Sequence, residues 1–185
     1  MSFQLKVFIF IGLSVIIVFV SRKSLRNFRS HGFYRLFAFE SITALILLNL
    51  DYWFYNPFSI LHIISWLLLI ISGYLVIHGF LLLYKKGNQN NQRRYHSLLK
   101  LEKTTKLVTA GIYRYIRHPL YSSLFFLGWG VFFKQISFLS VCLVVAATVF
   151  LTLTAKIEEA ENLSYFGDAY KSYMKKTKMF IPFLF

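Results

Sequence analysis

The residues best suited to chemistry stand together in Gly111-Ile-Tyr-Arg-Tyr-Ile-Arg-His-Pro-Leu-Tyr121. Pro119 fits the first turn of a helix, where its missing N–H costs no hydrogen bond, and it holds His118 out of helical geometry. Arg117 and His118 then project around a helix N-terminus whose free N–H groups favour an anion. The same residues would also serve as plain membrane anchors, with Arg114, Arg117 and His118 at lipid headgroups and Tyr113, Tyr115 and Tyr121 as an interfacial aromatic belt. A second group, Glu158-Glu159 with Glu161, gathers three of the chain's 7 acidic residues. Neighbouring positions on a helix point about 100° apart, so one glutamate can face an adjacent helix while the other meets a loop arginine. Ordinary helix-end salt bridges are the alternative.

Other residues carry weaker signals. Gly128-Trp-Gly130 lies in an apolar run, where glycine lets a second helix or a ligand approach the backbone. Glu40 is a carboxylate inside an apolar segment and therefore a functional suspect, although it could equally snorkel or pair with an arginine of the first loop. His62 and His78 are too far apart, and too poor in neighbouring ligands, to form a metal site; they read as hydrogen-bonded helix histidines. The single cysteine, Cys142, excludes an internal disulfide framework and a CxxC motif and is expected to pack as a small hydrophobe.

The elements that must position these groups follow from composition. Of 185 residues, 57% are hydrophobic and 19% aromatic, while only 15% are charged; a water-soluble globule of this size could not hide so much apolar surface. The formal charge of +14 would suit a nucleic-acid binder. Long uncharged apolar runs exclude that partner and point to a polytopic membrane protein. Windows close to the roughly 20 apolar residues of a membrane span run over 3–20, 33–50, 59–84, 119–133 and 136–155. The first lacks the basic n-region and small-residue cleavage site of a signal peptide and is expected to persist in the mature protein. Of the 21 Lys and Arg, all but Lys6 and Lys134 fall in the first loop, the 85–117 loop or the tail after 156. The positive-inside rule then puts the N-terminus outside and the C-terminus in the cytoplasm.

The sequence thus predicts an all-α polytopic membrane protein with about five transmembrane helices. Only Lys134 and Gln135 separate the short fourth span from the fifth, which predicts a tight antiparallel hairpin that brings Glu158 and Glu159 back beside Arg117 and His118. Gly87–Gln92 reads as a turn and Ser97–Lys106 as a short charged helix. Leu163, Phe166, Tyr170, Tyr173 and Met174 recur at helical spacing, predicting a cytoplasmic amphipathic tail helix over 158–177. It is expected to be interrupted near Gly167 and to lie on the membrane surface or fold back over the hairpin. Residues 1–84 would form three N-terminal helices that shape acceptor access, and 85–185 the loop, hairpin and tail that form the chemical region.

The order and spacing of Leu107-Val-Thr-Ala-Gly-Ile-Tyr-Arg-Tyr-Ile-Arg-His-Pro-Leu-Tyr121, Gly128-Trp-Gly130, Glu158-Glu159, Phe166-Gly167, Tyr170, Tyr173 and Ile181-Pro182 resembles the isoprenylcysteine carboxyl methyltransferase and phospholipid methyltransferase group of membrane enzymes. The resemblance covers about the C-terminal 80 residues. It departs at Ser123, where a glycine is common, at Ala110-Gly111-Ile112, and at Asn162-Leu163, where the leucine usually falls one position earlier. The resemblance implies S-adenosyl-L-methionine as cofactor and a lipid or prenylated acceptor arriving from the bilayer. It further implies that His118, Pro119 and Tyr121 belong to the cofactor pocket, with Tyr113 and Arg117 at its edge, that Gly128 and Gly130 let the cofactor lie against the fourth helix, and that Glu158 and Glu159 bind its polar groups.

The residue chemistry is compatible with that assignment. The cofactor's ammonium and ribose diol need an acid, and its carboxylate needs basic donors. A carboxylate acceptor is already ionised at neutral pH and needs only orientation, for which Arg117 is the candidate, whereas an amine must lose a proton, to Glu158, Glu159 or His118. Arg117 and Glu158 are the expected catalytic residues. Carboxyl O-methylation of an isoprenylcysteine is the leading expectation, with N-methylation of a phospholipid headgroup as the variant within the class. A non-enzymatic scaffold or transport subunit is the reading from outside it. The expected location is a prokaryotic inner membrane, or the endoplasmic reticulum in a eukaryote, with the site facing the cytoplasm.

Overall fold

A computed structural model describes residues 1–87 and 105–184. Six α-helices account for most of it: α1 (Phe3–Ser21), α2 (His31–Asn49), α3 (Ile60–Lys86), α4 (Pro119–Phe132), α5 (Phe138–Phe166) and α6 (Asp168–Lys176). The all-α polytopic architecture expected from the hydropathy is present. Of the five expected spans, α1, α2, α3 and α5 are long and apolar enough to cross a membrane. The fourth span, α4, has 14 residues, about 21 Å at 1.5 Å per residue, against a hydrocarbon core of about 30 Å. The expected helix over 97–106 and turn over 87–92 fall largely outside the described residues.

Local chemistry sets where the helices begin. Ser2 and Ser59 accept from the backbone N–H of Leu5 and His62, and Ser137 forms a reciprocal capping box with Ser140 at the start of α5; each satisfies N–H groups that a helix leaves unpaired. The α4–α5 connection is therefore five residues, 133–137, rather than the two that hydropathy suggested. The two helices are antiparallel, but each packs more extensively elsewhere, α5 against α2 and α4 against α3.

Both of those seams repeat every seven residues, the period of close antiparallel helices. On α2 the buried stripe is His31, Arg35, Ala38, Ile42, Leu45 and Asn49; its apolar part meets Val144, Ala147, Leu151 and Ala155 of α5 in two adjoining clusters. On α3 the stripe is Ser65, Ser72 and Gly79. The Ser65 hydroxyl donates to the Gly130 carbonyl at 2.6 Å and the Ser72 hydroxyl to the Ser123 carbonyl at 2.7 Å. Small residues allow this approach and their hydroxyls bind across it, as helix pairs in lipid require.

The two ends of the bundle differ in character. At one end the N-terminal ammonium and Lys6 bridge Asp51, each at 2.9 Å. The Asn49 amide donates to the carbonyls of Val131 and Gln135 there, and Lys134 is buried in the α4–α5 turn with Nζ 3.5 Å from the centre of the Trp66 ring. The other end carries the first loop, the 105–118 segment and the tail. Glu40 faces α1, accepting from the Ser14 hydroxyl at 2.6 Å. Cys142 is exposed on the outer face of α5 and is not packed in the core.

Candidate functional site

The residues that the sequence marked for chemistry, apart from Glu40 and the two glycines of α4, converge at the second end. The chain reaches α4 through a 3-10 turn over Gly111–Arg114 that fixes Tyr113. Gly111 sits at φ +60, a conformation that favours glycine, and a Cβ there would lie 2.6 Å from Leu82 Cδ1, which would have to move aside. Beyond the turn, the C-terminal segment pairs with the chain as a short parallel bridge, Ile116 to Lys178. The N–H groups of Arg117 and His118 donate to the carbonyls of Lys178 and Met179, at 2.8 and 3.2 Å, and Lys178 N–H returns a bond to Tyr115. The Ser122 hydroxyl bridges to the Phe180 carbonyl, and the Phe180 ring is fully buried against His118 and Phe125. The tail thus occupies two of the backbone donors that the sequence left free for an anion.

Arg117 and His118 converge on Glu159. Arg117 Nε donates to Glu159 Oε1 at 2.5 Å, its Nη1 donates to the carbonyls of Met174 and Thr177, and His118 Nε2 lies 3.3 Å from the same carboxylate oxygen. Three of the five guanidinium N–H groups are thus taken up by a carboxylate and two carbonyls, and both charged side chains are at most 10% exposed. This is a brace that ties the start of α4, the end of α5 and the tail, and Glu159 stands behind the cleft rather than on its wall. Next to it, Tyr121 donates to Glu158 Oε2 at 2.6 Å, and its ring stacks on His118 with centroids 5.5 Å apart.

A small cleft, with about 90 Å³ of enclosed space, opens over these groups. Its polar wall is Tyr113, Arg117, His118, Tyr121, Glu158 and Asn162; its apolar wall includes Leu83, Leu107, Val108, Pro119 and Phe166, with Tyr170 and Tyr173 closing one side. Burial, and after it the nearby charge of Glu158, pushes the Tyr113 phenol far above its ordinary value, and burial does the same for Tyr170 and Tyr173. These hydroxyls are therefore neutral donors across the physiological range: Tyr173 donates to the Tyr113 carbonyl at 2.6 Å and Tyr113 to the Gly79 carbonyl.

Two expected cofactor residues lie elsewhere. Gly128 faces Ile42 of α2 and Val144 of α5, and Gly130 faces Leu69 and the Ser65 carbonyl of α3. Neither lines the cleft; both serve helix packing. Conversely, Asn162, Phe166, Tyr170 and Tyr173 form cleft wall without having been singled out as site residues. The signal was available, since Glu158, Asn162 and Phe166 recur every four residues and share one face once α5 is continued past 155. His31, fully buried on α2, binds Glu161 at 2.8 Å and ties the first loop to the same end of α5. His62 and His78 are hydrogen-bonded to nearby backbone carbonyls, of Tyr52 and Tyr74.

Comparison with known proteins finds relatives of the chain. The family model described as the isoprenylcysteine carboxyl methyltransferase family matches residues 66–164, more than half of the chain. It reaches further towards the N-terminus, into α3, than the motifs suggested. A methanethiol S-methyltransferase of Crocosphaera subtropica is 25% identical over 71% of this chain and 47% of its own length. Protein-S-isoprenylcysteine O-methyltransferases of Schizosaccharomyces pombe and Tribolium castaneum are 37% and 32% identical over 46% and 49% of this chain, and over 36% and 33% of their own lengths. The chain therefore aligns with less than half of each of these relatives. No solved structure matches it.

Proposed function

The chain belongs to the isoprenylcysteine carboxyl methyltransferase family, and from that premise we propose that it is an S-adenosyl-L-methionine-dependent methyltransferase acting on a lipidic acceptor that enters from the bilayer. The observation that carries this reading is the cleft in which one carboxylate, a histidine and several buried phenols face an apolar wall at the end of a membrane bundle. The donor set suits the cofactor. Tyr121 holds Glu158 through Oε2, and its second oxygen has no hydrogen bond among the described residues, which fits it to a ribose diol or an ammonium. Leu83, Leu107, Val108 and Phe166 offer an apolar surface to an aromatic base.

When bound, the cofactor supplies a methyl group made electrophilic by a positively charged sulfur. The chain's own residues do the rest. Glu158, Tyr121 and Asn162 bind and orient; the Glu159 brace fixes Arg117 and His118 so that the wall of the cleft does not relax; the apolar wall excludes water from the reacting atoms. The committed hydrogen bonds of Arg117 make it a positioning residue for this wall in preference to a free acceptor clamp. A carboxylate acceptor needs no base. A thiol or amine must lose a proton, for which the Glu158 carboxylate at the cleft is the nearest acceptor, with His118 behind it.

We place the cleft on the cytoplasmic side of a multi-pass membrane protein. Both clusters that flank it, the first loop and the tail, belong to the basic end favoured there by the positive-inside rule. The leading acceptor is an isoprenylcysteine carboxylate, as in the names of two relatives. The longer alignment with a methanethiol S-methyltransferase favours a thiol as the second reading.

The test is methyl transfer from labelled cofactor to a membrane lipid extract and to a farnesylated cysteine. Label released as methanol by mild base marks a carboxyl ester and the leading reading. Base-stable label in a thioether or a headgroup amine would move the acceptor to the other classes. No transfer and no cofactor binding by folded protein would favour the non-enzymatic scaffold.

A further inference from the structure

The tail leaves two large apolar side chains in the open at the charged end of the bundle. Phe183 is 83% and Leu184 77% exposed, beside Tyr115 at 50%, and the rings of Tyr115 and Phe183 lie 6.4 Å apart. They are beyond the membrane-crossing helices, so the lipid contact that explains the outward leucines of α1 and α3 does not by itself account for them. The lysines that precede them, Lys175, Lys176 and Lys178, are all exposed, and so is Arg114 next to Tyr115. The acidic residue nearest in sequence, Asp168, is at the opposite end of α6. Apolar side chains interleaved with cations that form no ion pair among the described residues are what a charged bilayer interface selects, the rings entering the headgroup boundary and the ammonium groups staying among phosphates.

We propose that residues 175–184 form a clasp that engages the anionic headgroup layer of the surrounding bilayer, and that this engagement holds the candidate site together. The coupling is structural. The main chain of the same segment receives the N–H groups of Arg117 and His118 through Lys178 and Met179, and the Thr177 carbonyl accepts from the Arg117 guanidinium. Phe180, between the lysines and the exposed pair, is fully buried against His118 and Phe125. A surface that retains Lys175–Lys178 and Phe183 therefore retains the segment that fixes the start of α4. Only the consequence for catalysis rests on the methyltransferase reading; the surface contact does not.

The full chain is reconstituted with Phe183→Cys in a Cys142→Ala background and labelled with an environment-sensitive fluorophore. Vesicles are either pure phosphatidylcholine or contain roughly a third phosphatidylglycerol. The emission is expected to shift to the blue in anionic vesicles and to return towards the neutral-vesicle value at about 0.5 M salt, where charges are screened within a few ångströms. The Lys175→Gln, Lys176→Gln, Lys178→Gln triple variant should abolish the shift, each lysine contributing about fivefold to surface affinity. Lys23→Gln with Arg26→Gln, at the same end but in the first loop, should leave it unchanged. Identical emission in both lipids, or a shift that survives the triple variant with native helicity, would overturn the proposal. In the unlabelled chain, the triple variant should reduce methyl transfer in anionic vesicles to the neutral-vesicle level. A fluorescence shift without any methyl transfer would remove the functional reading and leave the clasp standing, whereas transfer indifferent to lipid charge would refute the coupling.

Discussion

Glu159 is the most informative single substitution. In Glu159→Ala the Arg117 guanidinium keeps only the carbonyls of Met174 and Thr177, and His118 loses its carboxylate partner. Both members of the ion pair are nearly buried, with 10% and 8% of their side-chain surfaces exposed, so solvent can screen little of the stranded charge. Removing one partner of such a pair costs about 3–5 kcal/mol. For a chain of this length that corresponds to a fall of roughly 6–20 °C in Tm. The assay is thermal unfolding in detergent of wild type, Glu159→Ala, Arg117→Ala and the double variant. Because the two side chains act as one brace, the double variant should be more stable than the sum of the single losses predicts, with a coupling of about 1–3 kcal/mol. A loss under about 1 kcal/mol in Glu159→Ala, or strict additivity, would show that the pair is a surface salt bridge and not a brace.

Three further outcomes follow from the packing and the buried ionisable groups. Gly130→Ala should destabilise by about 1–3 kcal/mol, because its Cβ would meet Leu69 at 3.0 Å and the Ser65 carbonyl at 3.2 Å, while Gly128→Ala, with nothing closer than 3.9 Å, should be near neutral; weakened ligand binding by folded Gly128→Ala would return that glycine to the site. Tyr113, Tyr170 and Tyr173 have folded-state values raised by burial, so their contribution to stability is full below the unfolded value of about 10 and is lost as pH climbs beyond it. A spectroscopic titration should then find three of the 12 tyrosines ionising only with unfolding, and a single transition near pH 10 for all would contradict the burial. Burial lowers the ammonium of Lys134, so the cost of carrying its charge is present at neutral pH and fades as pH rises towards the unfolded value of about 10.4. Lys134→Met should match or exceed wild-type stability at neutral pH, with the gap narrowing in alkali; a large loss at neutral pH would mean that the Trp66 contact outweighs burial.

Hydropathy located all five apolar helices because a bilayer demands long uncharged runs, and each starts within two residues of its expected window. It stopped short on α5, which continues from Ala155 to Phe166 through Lys156, Glu158, Glu159 and Glu161, good helix formers that no hydropathy window includes. The break at Gly167 was legible, since its φ of +57 is a conformation glycine tolerates. The convergence of Arg117 and His118 with the glutamates followed from antiparallel connectivity alone. What partner each charge takes did not, because a one-position rotation decides that Glu159 meets Arg117 while Glu158 meets Tyr121. The role of the tail was hidden for a different reason: its pairing with residues 115–118 uses main-chain groups, which side-chain patterns do not report. Gly128 and Gly130 show the limit of motif reasoning, since a small residue admits a ligand and a helix equally well.

Calorimetric binding of S-adenosyl-L-methionine to purified wild type, beside Glu158→Gln and His118→Ala and with Gly128→Ala as the packing control, decides whether the cleft is a cofactor site. Saturable binding is expected of wild type and Gly128→Ala, at least about tenfold weaker in Glu158→Gln, the loss of a hydrogen bond to a charged group, and weakened in His118→Ala. Absence of binding by well-folded wild type, or equal affinity in all four proteins, would contradict that reading.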